Sequence, residues 1–444
     1  MCSNLQKNHG DIEMLPRKQY VDELIRLKDN GRIKIITGLR RSGKSVLLFE
    51  LFREHLLEEG VTSENIISVQ LDDLQSIKYR NPIELDKYIR ERITDTKERF
   101  YIFIDEIQLV SEIPNPYVDD ESAKITFVDV VLGLMKIKNA DVYVTGSNSK
   151  MLSSDILTQF RDRGDEVRVY PLSFSEFYDA FEGDKRDAWQ EYYTYGGMPM
   201  TLSLDSHERK SRYLRDLFER TYIRDVLERN KIKNDETSLK ILLDVLASGI
   251  GSLTNPSRLS NTFKSERKIS LAPDTIDKYL GYFEDSYLIR KAVRYDIKGR
   301  KYIKTPSKYY YTDLGLRNAR LGFRQIEETH LMENVLYNDL VRREFDVDVG
   351  VVEIATMEDG KKVRKQLEVD FVVNRGNDRY YIQSALSIAD PEKKKQEIAS
   401  LLRIPDSFKK IVVVREHMKP WKDDNGIQYV GIEDFLRNEL ILKD

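Results

Sequence analysis

Eight consecutive residues, Gly38-Leu39-Arg40-Arg41-Ser42-Gly43-Lys44-Ser45, have the types and spacing to hold a phosphate group. Glycine at the first and sixth positions lets the backbone curl until several N–H groups converge. A helix starting at the end of this loop adds a field that favours an anion. In that arrangement Lys44 reaches the β and γ phosphates of a nucleotide, and the Ser45 hydroxyl takes one position on Mg2+. Phosphoryl chemistry needs two further groups, a carboxylate for the metal and a base that orients water. Asp105 and Glu106, which close the apolar run Phe100–Ile104, supply both: Asp105 holds Mg2+ through water and Glu106 polarises the attacking water. Alone, such a pair reads better as two acids ending a strand at the surface. Coupled to the loop, it completes a site for ATP and Mg2+ as cofactors.

The elements that must position these residues are legible in the apolar pattern. Short runs at Ile33–Thr37, Ile66–Leu71, Phe100–Ile104, Asp141–Thr145 and Val167–Tyr170 alternate with longer amphipathic stretches. That alternation predicts an α/β fold of parallel strands joined by crossover helices, with catalytic groups at the carboxyl ends of the strands. Leu48, Leu51, Phe52 and Leu56 recur at helical spacing after the loop, as the phosphate site requires. The run Val142–Thr145 ends in Gly146-Ser147-Asn148-Ser149, which makes Asn148 a candidate γ-phosphate sensor, with Ser147 second. An Asx turn capping the next helix fits Asn148 as well.

Composition bounds the rest. At 444 residues and 40% apolar the chain exceeds a single small module, and two or three domains are expected. A net charge of -3 excludes nucleic-acid binding by bulk charge and leaves only local patches. The lone Cys2 cannot form an internal disulfide, there is no apolar leader and no stretch approaches a membrane span. The expectation is a cytoplasmic protein without a membrane partner.

At this point the residues resemble the AAA-like P-loop ATPases of archaea and bacteria that carry a carboxyl-terminal domain of unknown function. The matching motifs are TGLRRSGKS (Thr37–Ser45), FIDEIQ (Phe103–Gln108), VTGSNSKML (Val144–Leu152), YPLSFSEF (Tyr170–Phe177) and YGGMP (Tyr195–Pro199). The resemblance implies a P-loop core in which an additional strand separates the Asp105–Glu106 strand from the Lys44 strand. It also implies a winged-helix segment and a restriction-endonuclease-like tail. The expected divisions are 1–185 for the ATPase domain, 186–300 for a helical and winged-helix-like domain, and 301–444 for the endonuclease-like domain. In these ATPases an arginine lies just before YPLSFSEF, which makes Arg163 the first candidate for neutralising γ-phosphate charge, with Arg161 behind it. A surface Arg-Asp-Arg-Gly turn is the competing reading.

Three predicted helices (238–249, 255–263 and 272–288, the last with Asp274 as cap) precede an alternating segment, the order of a winged helix-turn-helix. From Ser286 to Tyr310, eight basic residues (Arg290, Lys291, Arg294, Lys298, Arg300, Lys301, Lys304, Lys308) face one acid, Asp296, and interleave with five tyrosines. Segment 290–308 is therefore the candidate DNA contact. Asp274, Asp277, Glu284 and Asp285 on the third helix oppose that reading.

In the tail, Glu333, Asp370 and the run Tyr380-Tyr381-Ile382-Gln383-Ser384-Ala385 follow the order of an endonuclease site, but Gln383 and Ala385 stand where a carboxylate and a lysine belong. Lys393, Lys394 and Lys395 are the nearest candidates to replace the lysine. The expectation is a retained fold without catalysis. The set as a whole predicts a Mg2+-dependent ATPase, its partners being ATP, DNA, a second copy or an unidentified protein. A nucleotide-gated scaffold with slow hydrolysis is the alternative, and an ATP-dependent nuclease a weaker one.

Overall fold

The computed structural model describes residues 15–95, 97–120, 122–146, 163–232, 235–358 and 361–442. The chain forms two compact units, Met1–Val169 and Tyr170–Asp444.

The first unit is built on five strands, β1 (Ile33–Gly38), β2 (Ile66–Gln70), β3 (Phe100–Asp105), β6 (Ala140–Thr145) and β7 (Gly164–Val169), in the order β2-β3-β6-β1-β7. A two-residue hairpin, β4 (Ile113–Pro114) and β5 (Lys124–Ile125), lies apart from the sheet. Every pairing in the sheet is parallel. Strands β1, β3 and β6 are buried along their whole length, which is why they read as continuous apolar runs. Ile35, Ile102 and Val142 pack with Leu85, Ile89, Val131 and Leu134 from the helices Pro82–Arg92 and Phe127–Leu134. On the aromatic side Phe52, Phe103 and Tyr143 meet with ring centroids 5.1–6.0 Å apart. Because β6 lies between β1 and β3, the loop after β1 and the acids ending β3 share one edge of the sheet with a strand between them.

The second unit carries an eight-stranded mixed sheet, β14-β15-β13-β12-β11-β10-β8-β9. Its strands are β8 (Ile289–Asp296), β9 (Lys301–Tyr311), β10 (Asp346–Glu358), β11 (Lys361–Arg375), β12 (Asp378–Ala385), β13 (Lys409–Val414), β14 (Trp421–Lys422) and β15 (Gln428–Gly431). The seam expected after residue 300 falls inside a hairpin, since β8 pairs antiparallel with β9 and parallel with β10. The helices Glu236–Ser248, Pro256–Thr262 and Pro273–Asp285 precede this hairpin, and Thr254 between the first two bridges to Ser307 of β9. The third helix is not capped by Asp274: Ala272 is its N-cap and Pro273 fills its first turn, where a missing N–H costs nothing.

The YGGMP motif is a packing device. Gly196 has φ 72°, the Gly197 amide donates to the Asp313 carboxylate at 2.7 Å, and a side chain on Gly315 would collide with the Tyr195 carbonyl. Complete burial pushes the Asp313 carboxyl up to about 6, although backbone N–H groups of Leu316, Gly197 and Gly315 pull the other way.

Candidate nucleotide site

The loop after β1 is shaped by three left-handed residues, Gly38 (φ 130°), Arg41 (φ 66°) and Gly43 (φ 98°). Gly38 has no alternative, because a Cβ there would lie 2.0 Å from the Val169 carbonyl oxygen. Gly43 is the N-cap of a continuous helix over residues 44–58, so the loop delivers the chain directly into a helix N-terminus. Ser42 is fully buried, and its hydroxyl donates to the Val169 carbonyl at 3.3 Å, fastening the loop to the end of β7. Lys44 is buried as well; its ammonium donates to the Gly38 and Leu39 carbonyls at 3.2 and 3.1 Å. A loop of left-handed residues with a buried ammonium at a helix N-terminus has the chemistry of an anion cradle.

Asp105 and Glu106 stand at the facing strand end. The Asp105 carboxylate accepts a hydrogen bond from the Thr145 hydroxyl, and the Ser45 hydroxyl lies near enough to lower its proton affinity, so the structure brings the sequence-predicted metal pair, Ser45 and Asp105, together. Two oxygen donors side by side suit a hard cation such as Mg2+. Burial pushes the Asp105 carboxyl up, with those two hydroxyls opposing; a bound dication would favour its ionised form. Thr145 is the residue that sequence reading missed. Its oxygen donates to Asp105 and accepts the Glu106 N–H at 3.1 Å, so one fully buried hydroxyl at the tip of β6 sets both acids. Glu106 itself has φ 51°, which turns the chain sharply after β3, and its carboxylate accepts a hydrogen bond from Gln108.

Other candidates are not brought here. Arg163 precedes β7, its carbonyl accepting the Ile33 N–H at 2.9 Å, and the parallel register of β1 and β7 places it at the start of the strands. The loop lies at their far end, about 17 Å away at 3.3 Å per residue. Arg163 therefore does not neutralise phosphate charge at the loop of its own chain. Asn148, Ser147 and Arg161 lie outside the described residues.

The second unit holds another charged cluster. Lys308, read as a surface phosphate contact, is 3% exposed, and its ammonium bonds Glu333 at 2.8 Å and Glu368 at 2.6 Å. Burial alone would lower its proton affinity; Glu333, Asp370 and Glu368 overcome that and hold it protonated. Tyr310 donates to Glu333 at 2.6 Å, and Asp370 accepts the Ser384 N–H at 2.8 Å. Burial, then repulsion from Glu333, pushes the Asp370 carboxyl well above its ordinary range. Gln383 accepts the Asp370 N–H at 3.3 Å. Lys394 lies over the Trp421 and Tyr429 rings at 4.8 and 4.6 Å, away from this cluster.

A parallel sheet with an inserted strand, a glycine cradle at a helix N-terminus and two acids on the facing strand define a P-loop NTPase core of the AAA type. Comparison with known proteins agrees. Residues 30–178 match the family described as "AAA domain", and residues 186–327 match a domain of unknown function, DUF8612. An uncharacterized protein of Haemophilus influenzae is 34% identical over 428 residues, 95% of this chain and 98% of that protein. An uncharacterized protein of Methanocaldococcus jannaschii is 26% identical over 403 residues, 87% of this chain and 82% of that one. Among solved structures, the Walker-type ATPase of Pyrococcus abyssi is similar with a TM-score of 0.48 and 14% identity, covering 72% of this chain and 99% of that chain. The chain belongs to the family it shares with the Haemophilus protein, and in this chain the AAA domain is followed by the DUF8612 domain. Among the described residues no helix is long and apolar enough to cross a membrane.

Proposed function

We propose that the protein is a Mg2+-dependent ATPase. One observation carries the reading: the Asp105 carboxylate, the Thr145 hydroxyl and the Glu106 backbone form one hydrogen-bonded chain beside the Lys44 cradle, with the Ser45 hydroxyl near Asp105. The loop amides and Lys44 bind the triphosphate and orient its terminal group. Ser45 and Asp105 would hold Mg2+, which when bound would neutralise phosphate charge. Glu106, aimed by Thr145, takes the proton of the attacking water. Steady-state phosphate release tests this: Lys44→Ala should lower turnover about 10²-fold or more, and Glu106→Gln about 10²- to 10⁴-fold with ATP still bound. Turnover by Glu106→Gln equal to wild type would remove the assignment.

The Gln108 amide on the Glu106 carboxylate favours a second reading, a nucleotide-gated switch in which the base is held back and hydrolysis is slow. Gln108→Ala should then raise basal turnover; under the plain ATPase reading it leaves turnover unchanged or lower.

DNA contact is the reading we favour for the second unit. Three helices, a bridging residue between the first two, and an antiparallel hairpin match the order of a winged helix. Lys301 and Lys304 are exposed on that hairpin, whereas Lys308 is withdrawn. Glu284, pushed up to about 7 by burial, repels phosphate less than a full charge would. Duplex binding that weakens steeply with salt supports this; no binding at low salt ends it. The Lys308–Glu333–Asp370 cluster, with Gln383 and Ala385 in the expected catalytic places, supports a tail without nuclease activity. Plasmid cleavage with Mg2+ or Mn2+ that is lost in Asp370→Ala would reverse that reading.

A further inference from the structure

The residue that sets the phosphate loop from outside it is Arg17. It directly precedes the helix Lys18–Leu27 and is 6% exposed. Its backbone is left-handed, φ 40°, and its carbonyl accepts the N–H groups of Tyr20 and Val21 at 2.9 and 3.3 Å, so the helix start fixes where it stands. The guanidinium lies 4.7 Å over the Tyr20 ring, and Nη1 donates to the Ser42 carbonyl at 3.1 Å. The same nitrogen is the nearest neighbour, at 3.9 Å, of the point where a side chain on Gly43 would begin.

A trans peptide holds its C=O and the following N–H on opposite sides of one plane. Whatever pins the Ser42 carbonyl therefore sets the direction of the Gly43 amide. Arg17 pins that carbonyl, while the Ser42 hydroxyl is held by Val169. Glycine at position 43 could otherwise rotate freely, having no Cβ to restrict it. The guanidinium also adds a positive charge beside the loop.

We infer that Arg17 is a positioning residue for the triphosphate: by holding the Ser42 carbonyl it presets the Gly43 amide toward the phosphate cradle. This rests on the nucleotide reading of the loop and deepens it. Since Arg17 acts on the loop and not on the water or its base, its loss should raise KM and leave kcat nearly intact.

The test is equilibrium binding of ATP and ADP with Mg2+, together with steady-state phosphate release, on the full-length chain. Arg17→Ala should weaken both nucleotides by roughly 10- to 100-fold, the range of one charged hydrogen bond, and kcat at saturating ATP should stay within about threefold. Arg17→Lys keeps the charge but loses the planar fork, so its affinity should fall between the two. A folded Arg17→Ala protein, judged by a cooperative wild-type-like melt, that binds ATP as wild type does overturns the inference. If Arg17→Ala cannot be purified, Arg17→Lys decides, and unchanged affinity overturns it. A kcat loss with KM unchanged also overturns it. Wild-type protein that binds no ATP sinks the nucleotide reading and this inference together, whereas wild-type binding that Arg17→Ala leaves intact sinks the inference alone.

Discussion

Lys44 and Lys308 are both buried ammonium groups, and they differ in what surrounds them. Lys44 donates to the backbone carbonyl oxygens of Gly38 and Leu39, within the loop that leads into its own helix. Lys308 is enclosed by Glu333 and Glu368, with Asp370 close enough to raise its proton affinity further. One ammonium is bonded within a backbone loop, and in the proposed function it meets a ligand; the other is bonded to carboxylates of the fold. The same residue type at similar depth thus serves opposite ends, and the partners decide which.

The sharpest way to break this contrast is a reciprocal pair of substitutions. Lys308→Met should destabilise the second unit by about 3–5 kcal/mol, because removing one member of a buried ion pair leaves the others uncompensated. Urea unfolding followed by tryptophan fluorescence reads it, since both tryptophans, Trp189 and Trp421, belong to that unit. Lys44→Ala should cost little stability and most of the turnover. If Lys308→Met abolishes turnover while stability holds, the contrast is wrong.

The pH dependence follows from the buried acids of the second unit. Asp313 titrates at about 6 against an ordinary 3.8. Between those values the folded form keeps a proton that the unfolded chain has lost, so stability present below pH 4 falls as pH rises toward 6 and beyond. The loss from this group is about 3 kcal/mol, and Asp370 adds in the same direction. Urea midpoints at pH 4.5 and 7.5 with the same fluorescence should show it; a midpoint that climbs over this range would contradict it.

Smaller effects sharpen the comparison. Thr145→Val removes the hydroxyl shared by Asp105 and Glu106 and should lower turnover about tenfold, the worth of one hydrogen bond. On DNA, Lys304→Ala should reduce the slope of log affinity against log salt by about 0.9, the effect of one phosphate contact. At an ionic strength and temperature where it remains folded, Lys308→Met should leave that slope unchanged.

What the sequence disclosed depended on how local the information was. The phosphate loop is one contiguous segment whose glycines have no substitutes, and Asp105 and Glu106 end a strand that is apolar throughout. Thr145 looked like one more β-branched strand residue, since nothing in its neighbours signals that its hydroxyl faces β3. Lys308 was read with the basic residues around it, but the carboxylates that neutralise it come from the helix Glu328–Arg342 and from β11. Arg163 was placed by its position in a motif, whereas the parallel register of β7 decides which end of the sheet it occupies. Long β10 and β11 were visible only at Val369–Val373: β11 opens on the charged run Lys361–Gln366, and the buried part of β10, residues 348–352, is broken by Asp348 and Gly350.

The hairpin of β8 and β9 is joined on one side to Thr254, among the helices, and on the other to β10 of the large sheet. Two modules that might have been strung together by a tether instead own a common piece of ladder. The helical segment and the tail are thus continuous through backbone hydrogen bonds of one hairpin. Cutting the polypeptide at residue 300 should therefore yield not two working halves but a pair of fragments each missing one wall.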